Sequence, residues 1–364
     1  MAQALAPNEL LARVRRDAER NALRARNGLK HLAGVGRPVM ATSPKDVVWQ
    51  SEKVELWRYQ SDQRRFGPPL LFVHSLVSRS YIFDLAPGNS FVESMVNRGF
   101  DVFLIDWGTP DELEAHNTLE TYVDDYLPRI VDAVLDITGF DELNLFGYCL
   151  GGLLSLLYLA GHADDPVRSL AVMATPIDFT EMGPMTSLMG DGRVEPDDII
   201  DATGNVPPEL MLNSFRLLQP TGDVTGYVNL WQNLWNDDFL SAHQIMTQWS
   251  RDHIPFPGEC FRQVSDLFGR QNLLATGRVP LVGRTVDLAD ITVPFLNIVG
   301  EKDHIVPPAS TGPLSSLVGS DEVEDLRLPA GHVGLIVGRT AQRRNVPAMA
   351  DWLERQSDPM ESFG

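Results

Sequence analysis

Cysteine is scarce: Cys149 and Cys260 are the only two in 364 residues. Two cysteines far apart in so long a chain do not build a disulfide framework. An excess of positive charge is lacking too. Thirty Lys and Arg stand against 49 Asp and Glu, a net charge of −19. A general nucleic-acid binder needs a basic face, so the charge argues against that class. No internal repeat or low-complexity tract is present, which argues against a solenoid. The start, Met-Ala-Gln-Ala-Leu-Ala-Pro-Asn, has neither the basic residues nor the apolar run of a secretory leader, and a cytoplasmic location is expected. Long apolar runs are few. The most apolar stretch, Leu143–Ala160, approaches the length of a membrane span, but it carries Asn144 and three glycines. It reads as a buried strand, a turn and a helix. Neither a metal nor a cofactor is expected.

What is present is a pattern of alternating elements. Residues 9–32 read as a helix rich in Ala, Leu, Arg and Glu, carrying Arg13, Arg15, Arg16, Arg20, Arg24, Arg26 and Lys30. This basic segment is either a solvated helix face packed on the main domain or a docking element. After Pro44, Lys53–Tyr59 alternates like an outer antiparallel strand. Leu70–His74, Val102–Asp106, Leu143–Phe146, Leu170–Ala174 and Phe295–Val299 are short apolar runs suited to parallel strands buried on both faces. Phe91–Arg98, Thr121–Thr138 and Leu153–His162 read as helices between them. Strands alternating with helices predict an α/β, mostly parallel, doubly wound sheet. The alternation stops between Asp178 and Asp290, where prolines and Trp231, Trp235 and Trp249 suggest an inserted helical cap, with the tryptophans in its core. The expected organisation is therefore an N-terminal helical segment (1–45), a core (46–177 and 291–364) and a cap or lid (178–290).

The chemistry concentrates at Gly147-Tyr-Cys149-Leu-Gly151, between a buried strand and a helix. A nucleophile on such a strand–helix turn sits at a strained backbone angle, and the crossing is too tight for any neighbour but glycine. The helix N-terminus behind Cys149 favours a thiolate. Two further signals follow in the order nucleophile, acid, histidine. Asp303 lies just beyond the strand Phe295–Val299, and His332 lies in the glycine-flanked loop after Val323–Leu328. His332 can take the thiol proton and return it to a leaving group, while Asp303 holds the imidazole tautomer. His304 is a rival base, and Asp106 is the next candidate for the acid. The backbone N–H of Leu150, with that of Leu76 or Val77 in the loop after Leu70–His74, would form an oxyanion hole. His74, Tyr148 and His304 are candidates to line the substrate. Asp106-Trp107-Gly108 reads as a structural turn.

Taken together, His74-Ser-Leu-Val-Ser-Arg-Ser-Tyr-Ile-Phe-Asp-Leu-Ala-Pro-Gly, Gly99-Phe-Asp-Val-Phe-Leu-Ile-Asp-Trp-Gly, Gly147-Tyr-Cys-Leu-Gly-Gly, Asp303-His-Ile-Val-Pro-Pro and Gly331-His-Val-Gly with Ala350-Asp-Trp-Leu resemble polyhydroxyalkanoate synthases. These belong to the α/β-hydrolase superfamily, and the short length resembles the two-component class III type. The resemblance covers residues 45–355. Within it, Ser78 stands where the family usually carries Asn, and Ser80 where it carries Pro. The resemblance implies an acyltransferase with catalytic Cys149, Asp303 and His332, acting on (3R)-hydroxyacyl-CoA through a Cys thioester. It implies a second synthase subunit, a homo-oligomer and a polymer-granule surface as partners. A Cys-dependent esterase, thioesterase or depolymerase on the same scaffold shares every motif up to deacylation. A non-catalytic binding protein on this fold is the third reading, and an ordered triad argues against it.

Overall fold

The computed structural model describes residues 7–32, 39–183, 195–218 and 230–360. Eight strands form the main sheet. They are β1 (Lys45–Ser51), β2 (Val54–Tyr59), β3 (Leu70–Val73), β4 (Val102–Asp106), β5 (Leu143–Tyr148), β6 (Val167–Met173), β7 (Phe295–Gly300) and β8 (Val323–Leu328). Their order across the sheet is β1-β2-β4-β3-β5-β6-β7-β8. The first two strands pair antiparallel, β2 joins β4 antiparallel, and every pairing from β4 to β8 is parallel. The expected doubly wound sheet is thus borne out, with one addition. β2 is not the outer strand, because β1 covers it. β1 carries an irregularity between Val47 and Trp49 that breaks its alternation, which hid it from a period-two reading.

The central strands β3 and β5 are buried along their whole length. Helices α2 (Phe91–Arg98), α3 (Leu127–Thr138) and α4 (Leu150–Gly161) connect the strands. The N-cap of α2 is Ser90, whose side chain accepts the Glu93 N–H, and its C-cap is Gly99 in the left-handed region at φ 106°. Helix α4 is buried from Leu150 to Ala160, as a helix directly beneath a sheet must be.

Between β6 and β7 the described residues include helices at Pro196–Thr203, Pro208–Leu217, Asp237–Arg251 and Gly258–Gln263. They also include an antiparallel hairpin, Arg278–Leu281 with Arg284–Asp287. By contacts the chain forms two compact units, one of residues 1–40 with 219–251, the other of 41–218 with 252–364. The larger unit contains the sheet. In the smaller, α1 (Pro7–Leu32) meets the segment from Gln232 to Asp237. Asn27 is fully buried and donates its amide to the Leu234 carbonyl at 2.9 Å. Arg26 pairs with Asp237 at 2.9 Å, and Arg20 sits 4.5 Å over the Trp235 ring. Of the three tryptophans expected in a core, Trp249 is buried whereas Trp231 is 67% exposed. Among the described residues no helix is long and apolar enough to cross a membrane, and no cluster of His, Cys, Asp and Glu could hold a metal.

Candidate active site

Strand β5 ends at Tyr148 and α4 begins at Leu150, leaving Cys149 alone at the turn with φ 55° and ψ −122°. A non-glycine residue held there is strained, and the surroundings must enforce it. The Cys149 N–H donates to the Met173 carbonyl at 2.9 Å, and the Cys149 carbonyl accepts from Gly152 at 3.0 Å. The flanking glycines permit this crossing. A Cβ at Gly147 would stand 2.5 Å from the Gly152 Cα, and one at Gly151 would collide with the Val73 carbonyl. Cys149 is half-buried, whereas Cys260 is buried, and burial pushes the Cys260 thiol well up from the ordinary range.

Asp303 and His332 arrive from the carboxyl ends of β7 and β8. The two loops are stitched together, with Lys302 N–H donating to the Ala330 carbonyl at 3.0 Å. Asp303 is buried, and both its oxygens are committed. Oδ1 accepts from the Ile305 and Val306 N–H groups at 2.8 and 2.9 Å, and Oδ2 faces His332 Nδ1 at 2.7 Å. The Cys149 side chain is also close enough to act on the imidazole. Burial alone would lower the His332 pKa, but the charges of Asp303 and Cys149 and the bonds to both override it and push it up to about 10. The sequence-predicted trio is therefore brought together, with His332 bonded to Asp303 and acted on by Cys149. His304, the rival base, is exposed and stands outside that trio.

The remaining candidates fall around this centre. Leu150 is the first residue of α4, so its N–H has no carbonyl four residues back within the helix. Leu76 and Val77 are buried in the loop after β3, where the Val77 N–H makes only a long 3.5 Å approach to Ser75 Oγ. Tyr148 is buried, its ring 5.0 Å from the His332 ring and its hydroxyl 3.5 Å from the His332 carbonyl. The His74 ring lies parallel to that of Tyr148 at 6.4 Å. Its Nε2 meets the Ser78 carbonyl at 3.0 Å; a carbonyl only accepts, so Nε2 carries the proton. Burial pushes the His74 pKa down to about 3, against the pull of hydrogen bonds to Ser78 and Arg79. A neutral imidazole so held pins the loop and is not a base.

Several supporting contacts were not read from sequence. Trp107 donates its indole N–H to the His74 carbonyl at 2.8 Å, which ties the end of β4 to the loop after β3. Asp106 accepts from the Gly108 N–H at 2.8 Å and from Ser80 Oγ, so the turn reading of Asp106-Trp107-Gly108 matches what is seen. Both serines that depart from the resembled pattern are used inside this loop, Ser78 Oγ lying 3.1 Å from His74 Nε2. Tyr81, in the same loop, donates to Asp252 at 2.8 Å. A hydroxyl at 80 carries no sequence signal of its own, because its partner Asp106 lies at the end of another strand.

Comparison with known proteins places this geometry. Residues 68–338 match the α/β-hydrolase fold family, and residues 8–95 match the N-terminus of poly-beta-hydroxybutyrate polymerase (PhaC). The fold is similar to that of BpoC from Mycobacterium tuberculosis, with a TM-score of 0.50 at 16% identity, over 84% of this chain and 97% of that one. Poly(3-hydroxyalkanoate) polymerase subunit PhaC of Haloferax mediterranei is 38% identical over 87% of this chain, which spans 65% of that relative. The protein of the same name from Allochromatium vinosum is 37% identical, over 90% of this chain and 93% of the relative. The one from Synechocystis is 35% identical, over 91% and 90%. Matches above one-third identity that run through nine-tenths of both partners make the conclusion plain: the chain belongs to the PhaC family of poly(3-hydroxyalkanoate) polymerase subunits, on the α/β-hydrolase fold.

Proposed function

We propose that the protein is an acyltransferase that polymerises (3R)-hydroxyacyl-CoA into polyhydroxyalkanoate, holding the growing chain as a thioester on Cys149. The observation that carries this reading is the cluster of Cys149, at the strained elbow, with the bonded pair His332–Asp303 in a PhaC-family chain. In the first half-reaction the Cys149 sulfur attacks the acyl-CoA carbonyl, the C–S bond to CoA breaks, and the departing CoA thiolate takes its proton from His332. One thioester replaces another, so the step is close to balanced. In the second, the 3-hydroxyl of another unit attacks the Cys149 thioester, and its proton passes to the imidazole as sulfur leaves. Both Asp303 oxygens are engaged, which supports His332 as the base for both steps and Asp303 as its orienter. The N–H of Leu150, with that of Leu76 or Val77, would receive the oxyanion.

Water must be kept from the thioester if a hydroxyl is to win. We assign that task to the cap, residues 178–290. The relatives are called subunits, which supports a second synthase subunit as a partner alongside a homo-oligomer, acting in the cytoplasm at the surface of polymer granules.

Incubation with 3-hydroxybutyryl-CoA, with and without a candidate partner subunit, tests the reading. Polymer plus CoA is expected; free acid plus CoA in both arms would assign a thioesterase instead. Cys149→Ala should abolish CoA release in a folded protein, and retained turnover would remove Cys149 from the mechanism.

A further inference from the structure

We propose that Asn345 is a positioning residue that sets the His332 loop against the nucleophile elbow. The inference rests on the assignment of Cys149 and His332 above. Asn345 is fully buried, far along the chain from Cys149, and closes a π-helical segment, Ala341–Asn345, before the helix Val346–Arg355. Its side chain reaches two places at once. Nδ2 donates to the Leu335 carbonyl at 2.6 Å and lies 3.0 Å from Met173 Sδ.

Each contact leads straight to one half of the candidate site. Leu335 closes the turn that begins at His332, its N–H bonded back to the Gly331 carbonyl at 3.1 Å and the His332 carbonyl at 3.3 Å. Met173 ends β6 and accepts the Cys149 N–H at 2.9 Å. One amide thus bridges the turn that carries the base and the strand end that holds the nucleophile's backbone.

Two features argue that this bridge is more than packing. Asn345 Oδ1 is buried and has no hydrogen-bond partner among the described residues. An unmatched buried carbonyl is unfavourable, so a residue that served only to fill space would be better as an apolar one. The π-helical segment is the second. One residue fewer in that turn would rotate Asn345 by roughly 100° about the helix axis, away from both contacts. Such segments occur frequently at functional sites.

Asn345→Leu keeps the branched shape and removes the donor, and Asn345→Ser keeps polarity but shortens the reach. Met173→Leu, a volume-conserving change, loosens the other end and serves if neither Asn345 variant folds. In folded variants kcat for CoA release should fall on the order of 10- to 100-fold with KM unchanged, the scale of a displacement approaching 1 Å. The pH dependence of Cys149 alkylation by iodoacetamide should shift toward that of His332→Gln. Wild-type kcat and pH profile in a folded variant would overturn the proposal. So would lost activity that accompanies a lowered melting temperature with the pH profile unmoved, since that marks a merely structural role. The His332→Gln control separates this from the reading beneath it. If that variant leaves the alkylation profile unchanged, the Cys149–His332 pairing itself fails.

Discussion

Asp303→Asn should halt acylation by reversing the imidazole's proton, and the geometry dictates how. In the native site Oδ1 accepts two backbone N–H groups, from Ile305 and Val306, while Oδ2 accepts from His332 Nδ1. An asparagine has one acceptor oxygen and one amide donor. Turning the amide toward Ile305 and Val306 would set donor against two donors, so the oxygen must stay there and the NH₂ must face His332. Nδ1 then has to accept, so the doubly protonated ring that Asp303 supports is lost, the one remaining proton sits on Nε2, and the nitrogen toward Cys149 can no longer take a proton. Losing general-base assistance costs roughly 10²- to 10⁴-fold, or about 3–5 kcal/mol in the barrier. The backbone bonds to the loop survive, so stability should change far less than rate. Single-turnover release of CoA from a hydroxyacyl-CoA, read beside a thermal melt, is the assay. An acylation burst within about twofold of wild type in a folded Asp303→Asn protein would refute the tautomer argument. If that mutant acylates but does not elongate, Asp303 serves the hydroxyl's attack instead.

Iodoacetamide should modify Cys149 far faster than Cys260, because the latter is fully buried with its thiol pushed up by burial; peptide mapping at equal labelling would contradict this. The folded His332 pKa, about 10, lies above the ordinary 6.5. Its contribution to stability is therefore fully present below pH 6.5 and is lost as pH rises through 10, by at most about 5 kcal/mol. Urea melts at pH 6 and 10.5 should show that loss, smaller in Cys149→Ala because the Cys149 charge is one of its causes; equal losses would be evidence against the contact. Deleting residues 1–40 removes α1 and with it the partner of Leu234, Trp235 and Asp237. The truncated protein should melt lower and lose activity along with stability, while a docking role would spare basal acylation and abolish only stimulation by a partner. Parallel melts, acylation and assembly assays distinguish the two.

The elements most legible in the sequence were those whose signal is local. Phe91–Arg98 and Val323–Leu328 appear with the boundaries expected, because a capped helix and a strand closed by Pro329 carry their own punctuation. The Leu143–Phe146 run extends two residues further to Tyr148, since the strand continues through glycine into the turn. The run read as one helix over Thr121–Thr138 is two segments, a π-helical one to Tyr126 and α3 beyond it; hydrophobic spacing does not resolve an extra residue in a turn. Cys149, Asp303 and His332 were readable because each sits where a strand ends. What supports them was not. Trp107 and Asn345 act through the carbonyls of His74 and Leu335, and a backbone carbonyl has no letter in a sequence. The hairpin at Arg278–Asp287 was missed because its strands are four residues long inside a region read as helical.

The smaller unit also bears on how the protein is made. Asn27 and its partner Leu234 are 207 residues apart. A ribosome working at about 5–20 residues per second leaves the first helix waiting roughly 10–40 s for the segment it packs against. Through that interval the helix has left the exit tunnel and the sheet's parallel strands are still being added, so its apolar stripe is open to holdase chaperones or to the same helix on a neighbouring nascent chain. Ordering of this unit is then a late event of synthesis, and slowing translation between residues 32 and 230 should raise the aggregated fraction without altering the specific activity of what folds.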